Sequence, residues 1–275
     1  MPGENFSDAA LIVLGHGSTK NDESSAPVYQ HAGELRRRGI FADVREAFWK
    51  QEPQIKTVLG DATEPRKFIV PLFISEGYFS SEVIPKALGF LPGHSRLESR
   101  DGELFFCQPV GTHERMTSVL LSRASEVAGK FPFPRAPKPQ ETTLFIAGHG
   151  TEQNENSRKA IDRQVEIIRA TNEYAAVHAV FLDEDPRIAS CYELAQTKNI
   201  IVVPFFISDG MHVREDIPVL LGEPERFVKE RLANQQPTWR NPTERNEKFV
   251  WYGAPVGTEP QIADVILERV REVVK

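Results

Sequence analysis

The chain has 275 residues, 40% hydrophobic and 26% charged, with a formal net charge of −6 at neutral pH. That length suits two domains of about 130 residues better than one core, and the acidic balance argues against a nucleic-acid partner, which favours a basic surface. No apolar run approaches the roughly 20 residues that cross a bilayer, and MPGENFSDAA lacks the basic and apolar regions of a signal peptide, so the expected location is the cytoplasm, off the membrane.

In chain order, ALIVL (10–14) reads as a strand running into Gly15-His16-Gly17-Ser18, and the amphipathic stretch 22–38 reads as a helix. FWKQEP (48–53) ends a second strand, FIV (68–70) lies in a third, ELFFC (103–107) in another, and 114–129 is helical. The pattern then returns: TLFIA (143–147) before Gly148-His149-Gly150-Thr151, a helix over 155–171, FLDEDP (181–186), IIVV (200–203), FVWY (249–252) and a helix over 260–274. Short continuous apolar runs suit parallel strands covered on both faces, and their alternation with helices implies βαβ units. Pro71 and Pro204 are expected at strand ends, because proline cannot donate to a ladder. Pro85 and Pro218 suit the first turn of the next helix, with Ser80 and Ser81 as candidate caps.

The two passages are copies. VPLFISEGYFSSEVIPKALG (70–89) matches VPFFISDGMHVREDIPVLLG (203–222), and a constant offset of 133 residues pairs His16 with His149, Gly77 with Gly210 and Phe79 with His212. The expected organisation is therefore a domain over 1–130, a proline-rich linker FPFPRAPKPQE over 131–141, and a domain over 142–275. The offset grows to 146 when PVGT (109–112) meets PVGT (255–258), so the polar segment 223–248 carries about 13 extra residues and is either a lid or a tolerated surface insertion.

In an open parallel sheet, ligands bind beyond the carboxyl ends of the strands. That rule brings His149 and His212 to one rim of the second copy. Neutral imidazole ligates divalent first-row metals and accepts protons near neutral pH. Asp183, Glu184 and Asp185 stand at the neighbouring strand end, where the first copy has Lys50 and Gln51. Only one carboxylate is needed, and Glu184 is favoured, with Asp183 next.

The spaced set GHG, FLDEDP and FFISDGMHVREDIP resembles the CbiX/SirB-type class II chelatases in their long, duplicated form, and the likeness covers nearly the whole chain. The resemblance implies two tandem flavodoxin-like α/β domains, each a four-stranded parallel sheet flanked by helices, facing each other across a cleft. It implies insertion of Co²⁺, Fe²⁺ or Ni²⁺, the metal being a substrate, into a sirohydrochlorin-type tetrapyrrole of cobalamin or sirohaem synthesis. His149 and His212 match the family's two histidines, and Glu184 or Asp183 falls in the region of its acidic residue. These four are the metal-site candidates, with His149, His212, Glu184 and His16 as catalytic candidates. Phe79 in place of a second histidine argues against an independent metal site in the first copy.

No organic cofactor is implied. Cys107 and Cys191 fall at unrelated places in the copies, which argues against an iron–sulfur cluster and suits buried core fillers. An anionic substrate needs local compensation, for which Arg187 and Arg214 are candidates, with Lys50 and Arg45 near other strand ends. Ser18 and Thr151 would act as neutral donors, and Phe79, Tyr78 and Met211 as apolar partners for the macrocycle face. The duplication supplies two domains in one chain, so a monomer is expected, a homodimer being the other state compatible with the sequence. Two further readings stand beside the chelatase. A noncatalytic metal or tetrapyrrole carrier would use the same residues. A histidine phosphotransferase would need an arginine beside the histidine, where Leu14 and Gly15, or Ala147 and Gly148, stand.

Overall fold

The computed structural model describes residues 5–18, 24–100, 102–150 and 155–275. The first copy gives β1 (Phe6–Gly15), α1 (Ala26–Arg38), β2 (Phe41–Phe48), α2 (Ile55–Asp61), β3 (Arg66–Pro71), α3 (Ile84–Ala87), β4 (Arg96–Ser99), β5 (Gly102–Phe106) and α4 (Met116–Lys130). The second gives β6 (Thr142–Gly148), α5 (Glu155–Thr171), β7 (Ala176–Phe181), α6 (Cys191–Leu194), β8 (Asn199–Pro204), α7 (Ile217–Leu220), α8 (Glu225–Ala233), β9 (Thr243–Arg245), β10 (Lys248–Tyr252) and α9 (Ile262–Val273). Two sheets result, ordered β2-β1-β3-β5-β4 and β7-β6-β8-β10-β9. Each holds the four parallel strands expected from the apolar runs. A fifth, β4 or β9, pairs antiparallel at the edge. These short polar strands carry no apolar pattern, which is why the expected four-stranded sheet is corrected to five.

The central strands explain the uninterrupted apolar runs. Ala9–Leu14 of β1 and Leu144–Ala147 of β6 are fully buried, as strands with helices on both faces must be. Phe145, Phe181, Phe205 and Trp251 are among the largest buried side chains, each contributing roughly 1.5–3 kcal/mol of transfer free energy. Pro71 and Pro204 end β3 and β8, and Pro85 and Pro218 lie in the first turns of α3 and α7. Ser80 and Ser81 cap nothing. They sit in a π-helical turn, Phe79–Val83, and their hydroxyls donate back to the Gly77 carbonyl.

The compact units differ from the expected 1–130 and 142–275 division. One unit comprises Met1–Met116 with Pro260–Lys275, the other Thr117–Glu259. The helix closing each copy thus packs with the other copy's sheet, α9 in the first unit and α4 in the second. Equivalent arginines fasten both helices. In the first unit buried Arg269 donates to the Pro109 carbonyl from Nε and Nη2 (3.0 and 2.8 Å) and to Thr112 Oγ1 (2.6 Å). In the second, Arg123, at offset 146, donates to Thr258 Oγ1 (2.7 Å) and lies 3.1 Å from the Glu259 carboxylate. Helix amphipathicity reveals a buried face but not which sheet receives it.

Residues 131–141, between the two copies, fall within the second unit and make ordered contacts there. The Trp251 indole donates to the Phe131 carbonyl (2.9 Å), and Ala175 N–H donates to the Pro139 carbonyl (3.1 Å). The extra segment 223–248 is likewise structural. Its Trp239 enters the hydrophobic core with Val250 and Tyr252, and Arg231 pairs with Glu223 at 2.8 Å. Cys107 and Cys191 are free and buried, as core fillers would be, and burial pushes the Cys191 thiol up to about 12. Among the described residues no helix is long and apolar enough to cross a membrane.

Candidate active site

Strand order reverses between β1 and β3, and between β6 and β8, which are the switch points where such sheets open a crevice. His149 directly follows β6, and His212 lies beyond β8, its neighbour. The glycines make this turn. Gly150 has φ +65°, and a Cβ there would stand 2.8 Å from Phe181 Cβ; Gly17 repeats this with φ +73° against Phe48 and Gln51. A side chain at either position would be strained twice, by backbone and by contact.

The loop after β7 is tied to this turn through its backbone. Leu182 N–H donates to the His149 carbonyl (3.0 Å), as does Asp183 N–H (3.1 Å). Asp183 therefore falls beside the imidazole, its carboxylate 3.2 Å from His149 Nδ1. The next residue faces the other way. Glu184 pairs with Arg158 of α5 at 3.0 Å, and Arg158 also lies over the Phe181 ring. Asp183, and not the favoured Glu184, is thus the carboxylate beside His149. The first copy supports this assignment: Gln51, equivalent to Glu184, makes the same tie to α1's flank by donating to Ser25 Oγ (3.3 Å). Position 184 clasps a loop in both copies, as amide or carboxylate, while position 183 exchanges a cation, Lys50, for an anion, Asp183.

His212 opens a π-helical turn, His212–Asp216. Its ring meets that of His149 edge to face, centroids 4.9 Å apart and planes at 87°. His149 Nδ1 is 3.0 Å from the Gly150 carbonyl, and His212 Nδ1 is 2.6 Å from Asp216 Oδ2. Both rings thus make their polar contacts, among the described residues, through Nδ1, which presents Nε2 as the atom for a ligand or a proton. Both are about half exposed. A cavity of about 300 Å³ adjoins His212, lined by Asp183, Glu215, Asp216 and, from the extra segment, Glu225. Among the described residues no three His, Cys, Asp or Glu side chains stand together so as to hold a metal ion.

The first copy keeps the frame and changes the contents. His16 Nδ1 is again 3.0 Å from the next carbonyl, that of Gly17, and Lys50 N–H donates to the His16 carbonyl (2.9 Å). Phe79 takes the second imidazole's place, edge to face with His16 at 5.5 Å and 81°. The Lys50 ammonium, where Asp183 stands in the other copy, lies 5.3 Å from the Phe79 centroid. A cation beside one imidazole disfavours a second metal ion there.

The CbiX family model matches residues 10–127 and again 143–273. The chain belongs to the CbiX family. A probable sirohydrochlorin cobaltochelatase of Halobacterium salinarum is 41% identical over 94% of this chain and 90% of its own length. A sirohydrochlorin cobaltochelatase of Methanopyrus kandleri is 26% identical over 47% of this chain and 94% of its own, one copy's worth. Among solved structures, SirB from Bacillus subtilis with Fe³⁺ has a TM-score of 0.66 at 17% identity, covering 96% of this chain and 94% of that one. DR2241 of Deinococcus radiodurans, a multi-domain protein with structural similarity to chelatases, has a TM-score of 0.75 at 24% identity; this chain covers 54% of it. These structural likenesses bear on the fold.

Within the second CbiX copy, Arg187 is drawn into the loop, donating to the Leu182 carbonyl and lying 3.9 Å from Asp185, so its first role is to brace that loop. Arg214 stands in the π-helical turn beside His212. Tyr78 and Met211 occupy equivalent rim positions and are each 67% exposed, while Phe79 is 38% exposed. Ser18 N–H donates to Gln51 Oε1 at 3.2 Å; Thr151 lies outside the described residues. Arg158 was not signalled by the sequence, nor was Tyr252. The Tyr252 hydroxyl donates to the Val213 carbonyl (2.7 Å), fixing the turn that carries His212. Burial holds this hydroxyl far above its ordinary pKa, so it is a donor at neutral pH. The equivalent residue at offset 146 is Phe106, a difference readable only once the turn's carbonyl is seen. Tyr252→Phe is expected to cost about 1–3 kcal/mol by leaving that carbonyl unpaired. Urea unfolding measures it, and an unchanged midpoint would show that the bond contributes nothing.

Proposed function

We propose that this CbiX-family enzyme inserts a divalent metal ion, Co²⁺ or Fe²⁺, into sirohydrochlorin, with Asp183, His149 and His212 handling the metal and the displaced protons. The observation that carries the reading is the pair of imidazoles, 4.9 Å apart, each tethered through Nδ1 at the strand-end switch point. The names of the Halobacterium and Methanopyrus relatives supply the substrate.

The reaction exchanges two pyrrole N–H protons for one M²⁺. The incoming ion must shed water without being trapped, and two neutral imidazoles with one carboxylate bind first-row divalent ions through open positions, unlike a closed thiolate cage. The acidic cavity beside His212 raises the local concentration of the hydrated cation. As the metal passes to the macrocycle, Nε2 atoms released from it are proton acceptors at the place where the pyrrole protons leave. In the second copy Met211 offers apolar surface to a ring face, and Arg214 offers charge to the carboxylates. The first copy, with Lys50 and Phe79 beside His16, does not hold the metal in this reading.

Anaerobic absorbance assays with sirohydrochlorin and Co²⁺, Fe²⁺ or Ni²⁺ test the proposal. Many turnovers per enzyme above the spontaneous rate are expected. Insertion that stops at one equivalent would replace the enzyme reading with that of a carrier.

A further inference from the structure

We propose that Asp216 is a positioning residue: by accepting a hydrogen bond from His212 Nδ1–H it fixes one tautomer of His212 and aims the Nε2 lone pair at the incoming metal. The inference deepens the chelatase reading and rests on it for its catalytic consequence.

The contact is short and local. His212 Nδ1 and Asp216 Oδ2 are 2.6 Å apart, four residues apart on one π-helical turn. A hydrogen bond from a carboxylate-bound imidazole leaves the opposite nitrogen unprotonated and raises its basicity as a ligand. Without it, a half-exposed imidazole divides between two tautomers and turns about χ2, so only a fraction of molecules present Nε2.

A helical i,i+4 pair also serves to stabilise a turn, and the duplication separates the two roles. The first copy builds the same π-helical turn, Phe79–Val83, with no carboxylate at the equivalent place: Val83 stands where Asp216 stands, at the offset of 133. The backbone shape therefore does not require Asp216. What accompanies the aspartate is the imidazole: His212 with Asp216 in one copy, Phe79 with Val83 in the other. His149 follows a different rule. Its Nδ1 meets the backbone carbonyl of Gly150 as well as the Asp183 carboxylate, and His16 Nδ1 meets the Gly17 carbonyl where Lys50 replaces that aspartate, so a backbone acceptor serves this ring in both copies. His212 meets no such carbonyl among the described residues, and Asp216 supplies the acceptor.

The test uses the full-length protein, with Co²⁺ alone as probe. Long-range ¹H–¹⁵N spectra report imidazole tautomers, and the His212→Ala spectrum assigns the signal among the seven histidines. Wild type is expected to show His212 protonated at Nδ1. Asp216→Ala is expected to mix the tautomers and weaken Co²⁺ binding about 10- to 100-fold, with an unchanged thermal midpoint, and Asp216→Glu to restore part of the affinity. An unaltered tautomer and affinity in Asp216→Ala would overturn the proposal. If Asp216→Ala fails to fold, a graft decides. Lys50→Asp with Phe79→His rebuilds the site in the first copy, and adding Val83→Asp is expected to tighten the new Co²⁺ site by a similar factor; no difference overturns the role. Wild type that shows the tautomer and affinity effects but no turnover would sustain the positioning role while removing the chelatase reading.

Discussion

Replacing either His149 or His212 with alanine is expected to lower the rate of metal insertion about 10²- to 10⁴-fold, the range associated with losing a positioned acid–base group. Both side chains are half exposed and their rings pack chiefly on each other, so thermal stability should hardly move. Asp183→Ala should follow them, because its carboxylate lies 3.2 Å from His149 Nδ1. Glu184→Gln should retain most activity, since glutamine at the equivalent Gln51 makes the same loop tie. His16→Ala should cost less than either second-copy histidine, because its ring neighbour is Phe79 and not a second imidazole. Single-turnover and steady-state insertion rates check the series. A wild-type rate in His212→Ala would sink the assignment of the site, and a collapse in Glu184→Gln would return the catalytic carboxylate to that position.

The largest stability effect is expected at the exchanged helix of the second unit. Arg123 and Glu259 are both nearly buried and 3.1 Å apart. The carboxylate lies off the Nε–H axis, so this contact is ionic, while Ser122 Oγ donates to Glu259 at 3.1 Å and Thr258 accepts from Arg123. Glu259→Ala would leave the buried guanidinium with only the half-exposed Glu126 as a charged partner, at a cost of about 3 kcal/mol, the low end for a broken buried pair. For a protein of this size that is on the order of a 10 °C fall in Tm. Arg123→Met combined with Glu259→Leu should recover most of the loss, because apolar packing replaces a desolvated pair at little net cost. Calorimetry of the three variants tests this, and a Glu259→Ala midpoint within a degree or so of wild type would show that the Arg123–Glu259 pair contributes nothing. In the first unit, Arg269 meets His113 where Arg123 meets Glu259, and burial holds the His113 imidazole below its ordinary pKa. The equivalent arginine thus bonds to one carbonyl and a hydroxyl in the first unit and faces a buried carboxylate in the second.

The duplication, the βαβ alternation, the strand-end prolines and the two histidines on one rim were all legible in the residues. Each is encoded locally or by an offset: continuous apolar runs mark strands covered on both faces, and the glycines around His16 and His149 permit the left-handed turn whatever surrounds it. Which carboxylate reaches the site was not legible. Asp183 and Glu184 are adjacent and chemically alike, and their opposite directions depend on the two backbone bonds that tie the loop to His149. The antiparallel edge strands carry too little apolar pattern to be seen, and Trp239 looks like surface loop until it is found in the core. The exchange of α4 and α9 was hidden for a further reason. An amphipathic face states that a helix is buried, while the sheets of two related copies offer it similar grooves. Choosing between them rests on long-range partners such as Arg269 with Pro109 and Arg123 with Glu259, which adjoin only after the chain has folded.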